Sequence, residues 1–234
     1  ISKNFRNEGM DKNHNPEFTM LEFYCAYADI YDMMNFTEEM LKTLTKSIDY
    51  KSKDINFQKD FKVFSFFKVL NKYSNSKISD MNIRQLKSLL KKNNIDFEKN
   101  VRLGKLLDKA FTFFVEPKLI TPTFIVDYPK ELSPLAKEKR DSKNGNVVER
   151  FELFINGMEI ANAFTELNNP IEQRRRLVEQ SKLKELGDKE AQNVDEDFLE
   201  AIETGMPPTG GVGIGIDRLV MILTSQKSIK DVIL

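Results

Sequence analysis

The run Pro207-Pro208-Thr209-Gly210-Gly211-Val212-Gly213-Ile214-Gly215-Ile216-Asp217-Arg218-Leu219 sets glycines along an apolar stretch and follows them with an arginine that opens a helix. Its valine and isoleucines have strand chemistry, and glycine within a strand marks a place where a ligand or another backbone comes close. Four glycines between 210 and 215 strip the side chains from such a strand. What remains is a bare floor, and Arg218 at its end offers phosphate a planar fork of donors. The run reads as a nucleotide site. The alternative is a glycine-rich strand packed under a helix, with Arg218 in an ordinary ion pair.

A second constellation lies at the N-terminal end: Phe5-Arg6-Asn7-Glu8-Gly9, a polar loop from Met10 to Glu17, then Phe18-Thr19-Met20-Leu21-Glu22-Phe23-Tyr24. Two strands joined by a loop fit this pattern. At period two, Arg6 and Glu8 share one face of the first strand, and Glu22 and Tyr24 one face of the second. The loop holds the chain's single histidine, His14, ahead of Asn15-Pro16, a turn-initiating dipeptide. A lone loop histidine is as a rule solvated unless its neighbours make it a ligand contact.

A third runs from Phe151 to Leu167, centred on Asn156-Gly157 between apolar stretches. Asn-Gly is the strongest short-range hairpin signal, because both turn residues need positive φ. A two-residue turn pairs Ile155 with Met158, Phe154 with Glu159 and Glu152 with Ala161. Glu152 and Glu159 then become diagonal neighbours roughly 7–8 Å apart on one face. Two carboxylates so close repel unless a cation intervenes, and Mg²⁺ carried by nucleotide phosphates suits one or two carboxylates. An ion pair of Glu152 with a nearby basic side chain is the simpler alternative.

In this order the three pieces resemble the catalytic core of class II aminoacyl-tRNA synthetases, and within that family the lysine enzyme. The resemblance runs through FRNEGMDKNHNPEFTMLEFYCAYADIYDMM (Phe5 to Met34), LITPTFIVDYPKELSPLAK (Leu119 to Lys137), ERFELFINGMEIANAFTELNNPIEQRRR (Glu149 to Arg176) and GMPPTGGVGIGIDRLVMILT (Gly205 to Thr224). The first and last are similar to the family's motifs 2 and 3. Asp217-Arg218, where the aspartate and asparagine relatives generally carry Glu-Arg, and the form HNPEFTMLEFY point to lysine. The resemblance implies an α+β fold: a mainly antiparallel sheet flanked by helices, with a helical insertion.

It also implies roles. Arg6 would hold the ATP α-phosphate and the amino-acid carboxylate, and Phe18 would stack on adenine, with Arg218 on the other side reaching the γ-phosphate. Glu8 would read the adenine amino group and His14 the outer phosphates. Glu152 and Glu159 match the magnesium-binding carboxylates. Tyr24 and Glu166 match the residues that grip the lysine ammonium; Asn162 and Gly215 belong to the lysine site. A buried ammonium needs a carboxylate, since an unpaired buried charge is very costly. Strict alternation puts Asn162 and Glu166 on the opposite face from Glu159, so a bulge, twist or break is expected between Glu159 and Glu166.

The implied chemistry is attack of the lysine carboxylate on ATP, then transfer to tRNA(Lys), by positioning and electrostatics without a protein nucleophile. Attachment of lysine to a protein side chain and a non-catalytic binding module are the alternatives. The intact glycines 211–215 and the insertion favour the tRNA enzyme. Motif 1, an anticodon-binding barrel and the glutamate preceding motif 2 lie outside this sequence. The expectation is therefore a catalytic part of a longer protein that dimerises through motif 1, with the isolated chain inactive and not a native-like homodimer.

Composition decides less. Thirty-six basic and thirty-six acidic residues cancel, so a tRNA surface must be a local patch. Arg174-Arg175-Arg176 is one candidate, with a salt-bridged helix face as the alternative. The single cysteine, Cys25, rules out an internal disulfide and suits a reducing, cytoplasmic setting. No apolar run reaches the roughly 18 residues of a membrane span. The expected organisation is core over 1–48, helical insertion over 49–109 and core over 110–234. Helices are expected from about Ala28 to Ile48 with Met33, Phe36, Met40, Leu41 and Leu44 inward, from Asn169-Pro170 to about Leu186, and from the cap Asp195 to Thr204, closed by Gly205.

Overall fold

The glycine-punctuated run forms strand β7 (Thr209–Gly215) and leads directly into helix α7 (Ile216–Leu223). The computed structural model describes residues 1–7, 9–98, 101–142, 146–185 and 193–233. It sets β7 inside a seven-stranded sheet ordered β1 (Ser2–Phe5), β2 (Glu17–Ala26), β7, β6 (Met158–Thr165), β5 (Val147–Ile155), β4 (Thr123–Pro129), β3 (Lys62–Ser65). Neighbours are antiparallel except β3 and β4. The architecture is α+β, as expected.

Register assigns the faces. Tyr24, Gly211, Phe164 and Arg150 stand opposite one another in one row, and Glu22, Gly213, Asn162 and Glu152 in another. Between them runs the row Phe23, Val212, Ala163, Phe151, and alternation sends it to the other side of the sheet. There Phe151, Ala163, Val212, Leu153, Ala161 and Ile214 pack against Ile30, Met33 and Leu41 of helix α1 (Ile30–Ser47) and Leu219 and Ile222 of α7. Each fully buried side chain of this size contributes about 1.5–3 kcal/mol. The glycines of β7 thus belong to both layers: Gly211 and Gly213 clear the polar face, and a Cβ on Gly210 would lie 2.7 Å from Met33 Cγ, pushing α1 off the sheet.

Helix α1 begins at a capping box: Asp29 accepts from the Tyr31 and Asp32 N–H groups, and Asp32 accepts from the Asp29 N–H. Phe36 departs from its expected inward position. It lies half exposed and rests on Phe23 with ring centroids 5.1 Å apart. Helices α2 (Phe66–Ser74), α3 (Ile83–Lys92) and α4 (Leu103–Phe114) form a second core with Ile125, Tyr128, Val148 and Phe154 from β4 and β5. They cover the polar-face side only at the β4–β5 end, which leaves the face over β2, β7 and β6 for a site. Within 49–109 the chain also supplies β3, a four-residue edge strand too short to show an alternating pattern.

Helix α5 (Pro170–Glu185) starts where Asn169 Oδ1 accepts from the Ile171 and Glu172 N–H groups; helix α6 (Glu196–Gly205) starts at Asp195, which accepts from the Phe198 N–H at 2.9 Å. The arginine run divides. Arg174 pairs with Glu196 at 2.7 Å, and Arg175 with Glu172 and Glu179 at 2.7 and 2.8 Å. Arg176 is buried and donates to the Ala136 carbonyl at 2.7 Å. The salt-bridged reading holds for all three, since Arg176 also pairs with Glu172 at 2.8 Å, and the third is in addition part of the frame.

Candidate active site

Hairpin β5–β6 turns at Asn156-Gly157 with φ of 53° and 73°, and Ile155 and Phe154 pair with Met158 and Glu159 as expected. The ladder then slips: Leu153 faces Ala161 and Glu152 faces Asn162, so the expected pairing of Glu152 with Ala161 is corrected by one residue. The extra residue is Ile160, whose side chain joins the apolar core. A bulge of this kind resets alternation. It puts Glu159 and Asn162 on the same side, and both line one cleft. The break expected between Glu159 and Glu166 is this bulge.

That cleft brings together Arg6, His14, Phe18, Glu159, Asn162, Gly215 and Arg218. Arg6 lies one residue beyond β1, its N–H donating to the Pro16 carbonyl at 2.9 Å, and its guanidinium sits 5.2 Å from the centre of the Phe18 ring. His14 is held by Asp11, whose carboxylate oxygens lie 2.9 and 3.0 Å from Nδ1. Arg218 donates from Nη1 to the Glu159 carbonyl at 2.9 Å and from Nε to the Asn13 carbonyl at 3.3 Å, and its Nη1 lies 3.5 Å from Glu159 Oε2. Asp217 accepts from the Thr19 N–H at 2.6 Å, which joins the first turn of α7 to β2. Glu8, expected on the first strand beside Arg6, lies outside the described residues.

Tyr24 and Glu166 sit apart from this cleft, over Gly211. A Cβ on Gly211 would lie 2.3 Å from Glu166 Oε1 and 2.8 Å from the Tyr24 ring, so only glycine lets both side chains close there. The Glu166 N–H donates to the Thr209 carbonyl at 2.8 Å. Burial alone pushes the Glu166 carboxyl up to about 7. Burial, with the charges of Glu166 and Glu22, also raises the Tyr24 phenol. Among the described residues no basic side chain pairs with Glu166.

Glu152 is held differently. Arg150 Nη2 donates to its Oε1, and the Tyr128 hydroxyl donates to its Oε2 at 2.6 Å. The simpler alternative for Glu152, an ion pair, is thus present, yet each carboxylate oxygen keeps a lone pair for a further partner. Burial, then the Glu152 charge, raises the Glu159 carboxyl against the pull of Arg218 and Arg150. Two hard-oxygen donors that resist joint ionisation fit Mg²⁺. Among the described residues no group of three or more His, Cys, Asp or Glu side chains converges to hold a metal. Any cation at this pair would therefore need oxygens from a ligand.

The family profile of class II tRNA synthetases (D, K and N) matches residues 1–234. The chain belongs to this family. It is similar to the lysine–tRNA ligase of Porphyromonas gingivalis strain W83, 48% identical over 240 residues that cover 100% of this chain and 41% of the relative. The lysine–tRNA ligases of Azobacteroides pseudotrichonymphae and Prochlorococcus marinus strain MIT 9301 are each 48% identical across 100% of this chain, and 48% and 47% of their own lengths are covered. The chain spans somewhat less than half the length of these class II synthetases. Among the described residues no helix is long and apolar enough to cross a membrane.

Two residues that bear on this site electrostatically were not singled out from sequence. Arg150 stands two positions before Glu152 on the same face of β5, a spacing that was legible. Glu116, which accepts from the Thr112 hydroxyl at 2.8 Å, has its carboxyl raised by burial and then by the charges of Asp108 and Glu152. No local pattern marks it, because its proximity depends on the path of α4 into the hairpin turn.

Proposed function

We propose that this chain carries the lysine-activating site of a lysine–tRNA ligase, with tRNA(Lys) as acceptor in the longer protein. The observation that carries it is the Glu166–Tyr24 pair closed over Gly211: a half-buried carboxyl with no basic partner among the described residues, beside an arginine-bearing cleft. An ammonium is the ligand such a carboxyl lacks.

Arg6 holds the α-phosphate and the amino-acid carboxylate together, and Arg218 the γ-phosphate; His14 contacts the outer phosphates. Glu8 and Phe18 recognise adenine. Asn162 and Gly215 border the lysine backbone, and Tyr24 and Glu166 its ammonium. Glu152 and Glu159 would hold Mg²⁺ with phosphate oxygens, and the ion when bound would neutralise charge on the polyphosphate. A carboxylate oxygen of lysine forms a bond to the α-phosphorus as the bond to pyrophosphate breaks, giving lysyl-adenylate. A ribose hydroxyl of the tRNA then attacks the carbonyl and AMP leaves with the bonding pair. Arg6 works by alignment and by neutralising charge that grows on phosphorus. Homodimer assembly and a cytoplasmic setting, both implied by the resemblance, belong to the same proposal.

Lysine-dependent exchange of pyrophosphate into ATP tests it, on this chain and on a version extended upstream. Exchange that requires lysine, in either form, is expected. Exchange with another amino acid instead, or none in either form, would overturn it.

A further inference from the structure

On the polar face one largely buried side chain joins Asn162 of the cleft to the Glu152 carboxylate. Arg150 has a side chain 14% exposed, and every nitrogen of its guanidinium is engaged. Nη1 donates to the Leu132 carbonyl at 2.6 Å and to Ser133 Oγ at 2.9 Å, which anchors the group to the loop after β4. Nη2 donates to Glu152, and Nε donates to Asn162 Oδ1 at 3.1 Å. The plane lies over Tyr128, 4.7 Å from the ring centre, and Tyr128 itself donates to Glu152.

A guanidinium has donors only, so the Asn162 atom it meets must be the amide oxygen. With the oxygen held, the Asn162 NH₂ is the group left for the cleft that Asn162 lines. An NH₂ recognises an acceptor, such as a carboxylate, and rejects a second donor. The fork that fixes this orientation also fixes the Glu152 carboxylate, and its rigid geometry is one that lysine cannot reproduce.

We propose that Arg150 is a positioning residue that orients Asn162 as a donor toward the substrate carboxylate and ties it to the Glu152 carboxylate. This rests on the lysine-activation reading above. Arg150 touches no substrate atom; it acts through Asn162 and Glu152.

Arg150→Lys keeps a positive charge beside Glu152 but loses the fork. The expected result is a KM for lysine raised roughly tenfold in pyrophosphate exchange, with the KM for ATP within about twofold. Asn162→Ala combined with Arg150→Lys is expected to be no worse for lysine than Asn162→Ala alone. Additive losses, or an unchanged lysine KM, would overturn the proposal. Proton–nitrogen NMR of the ligand-free chain reads the orientation without turnover. In Arg150→Lys the Asn162 side-chain amide resonances should move toward those of a freely rotating amide, and unmoved resonances would overturn the proposal. Should wild type show no lysine-dependent exchange, the lysine reading fails while the amide resonances still decide the role of Arg150. If Arg150→Lys does not fold, Ser133→Ala removes one anchor of the guanidinium without touching Asn162 or Glu152. It should shift the same amide and raise the lysine KM about two- to threefold, and no shift would count against the role.

Discussion

At the Gly211 end of the polar face, Glu166 is half-buried beside Tyr24 with no basic side chain paired to it among the described residues, and its carboxyl rises to about 7. At the other end Glu152 is held by Arg150 and Tyr128, and Glu159 lies 3.5 Å from Arg218. Both ends hold half-buried carboxylates, but the compensating charge comes from different places. The Glu152–Glu159 end already carries internal cations, so its groups are held in place whether or not a ligand is bound. The Glu166 end leaves its charge to be completed from outside. An unpaired buried carboxyl selects for a cationic ligand, whereas a paired one sets geometry.

Removing the charge at the unpaired end should have the largest effect. Glu166→Gln is expected to weaken lysine binding by roughly a hundredfold or more, the scale of stranding a buried charge, with ATP binding nearly unchanged in calorimetry. Equal losses for lysine and ATP would erase the contrast between the two ends. The reciprocal change, Glu159→Gln, should raise the Mg²⁺ concentration needed for half-maximal exchange by roughly tenfold and leave lysine affinity within about twofold. Gly211→Ala forces Glu166 and Tyr24 apart, because the added Cβ falls within 3 Å of both. Roughly tenfold weaker lysine binding is expected, since the tip of a glutamate can yield more easily than a backbone. Gly215→Ala is the mildest. Its Cβ would meet nothing closer than 3.8 Å, so melting should be unchanged while the methyl enters the cleft and weakens ligand binding a few-fold.

Much of this was legible in the sequence, and the parts that were not share a cause. The strand character of Thr209–Gly215 and the bareness that its glycines give it were legible, because both readouts need only neighbouring residues. Asn156-Gly157 located its turn for the same reason. The pairing of Glu152 missed by one because the bulge at Ile160 lies between the turn and the glutamate, and no residue type there announces it. Functional demand gave the only warning: Glu159 and Asn162 had to share a pocket. Strand β3 and the reach of Glu116 were invisible, since each depends on chain distant in sequence. Phe36 looked like a core residue on its helix, but it lies half exposed against Phe23 at the margin of the core.

Titration of lysine binding separates the two ends most directly. The lysine side chain stays protonated to about pH 10, and both Glu159 and Glu166 have carboxyls raised to about 7, but the one that meets the ammonium in the proposed lysine site is that of Glu166. Its pKa is raised from 4.5 to about 7 in the empty pocket, and an ammonium requires the ionised form, so binding below that pKa must first expel a proton. Affinity therefore falls as pH drops through 7. Calorimetry of L-lysine and of norleucine, which has the same chain without the ammonium, should show lysine affinity rising roughly tenfold from pH 6 to pH 8. Norleucine should bind weakly at every pH, and Glu166→Gln should flatten the lysine profile. A lysine profile that is flat in wild type, or one that keeps its slope in Glu166→Gln, would contradict the assignment of Glu166 as the group that waits for the substrate's charge.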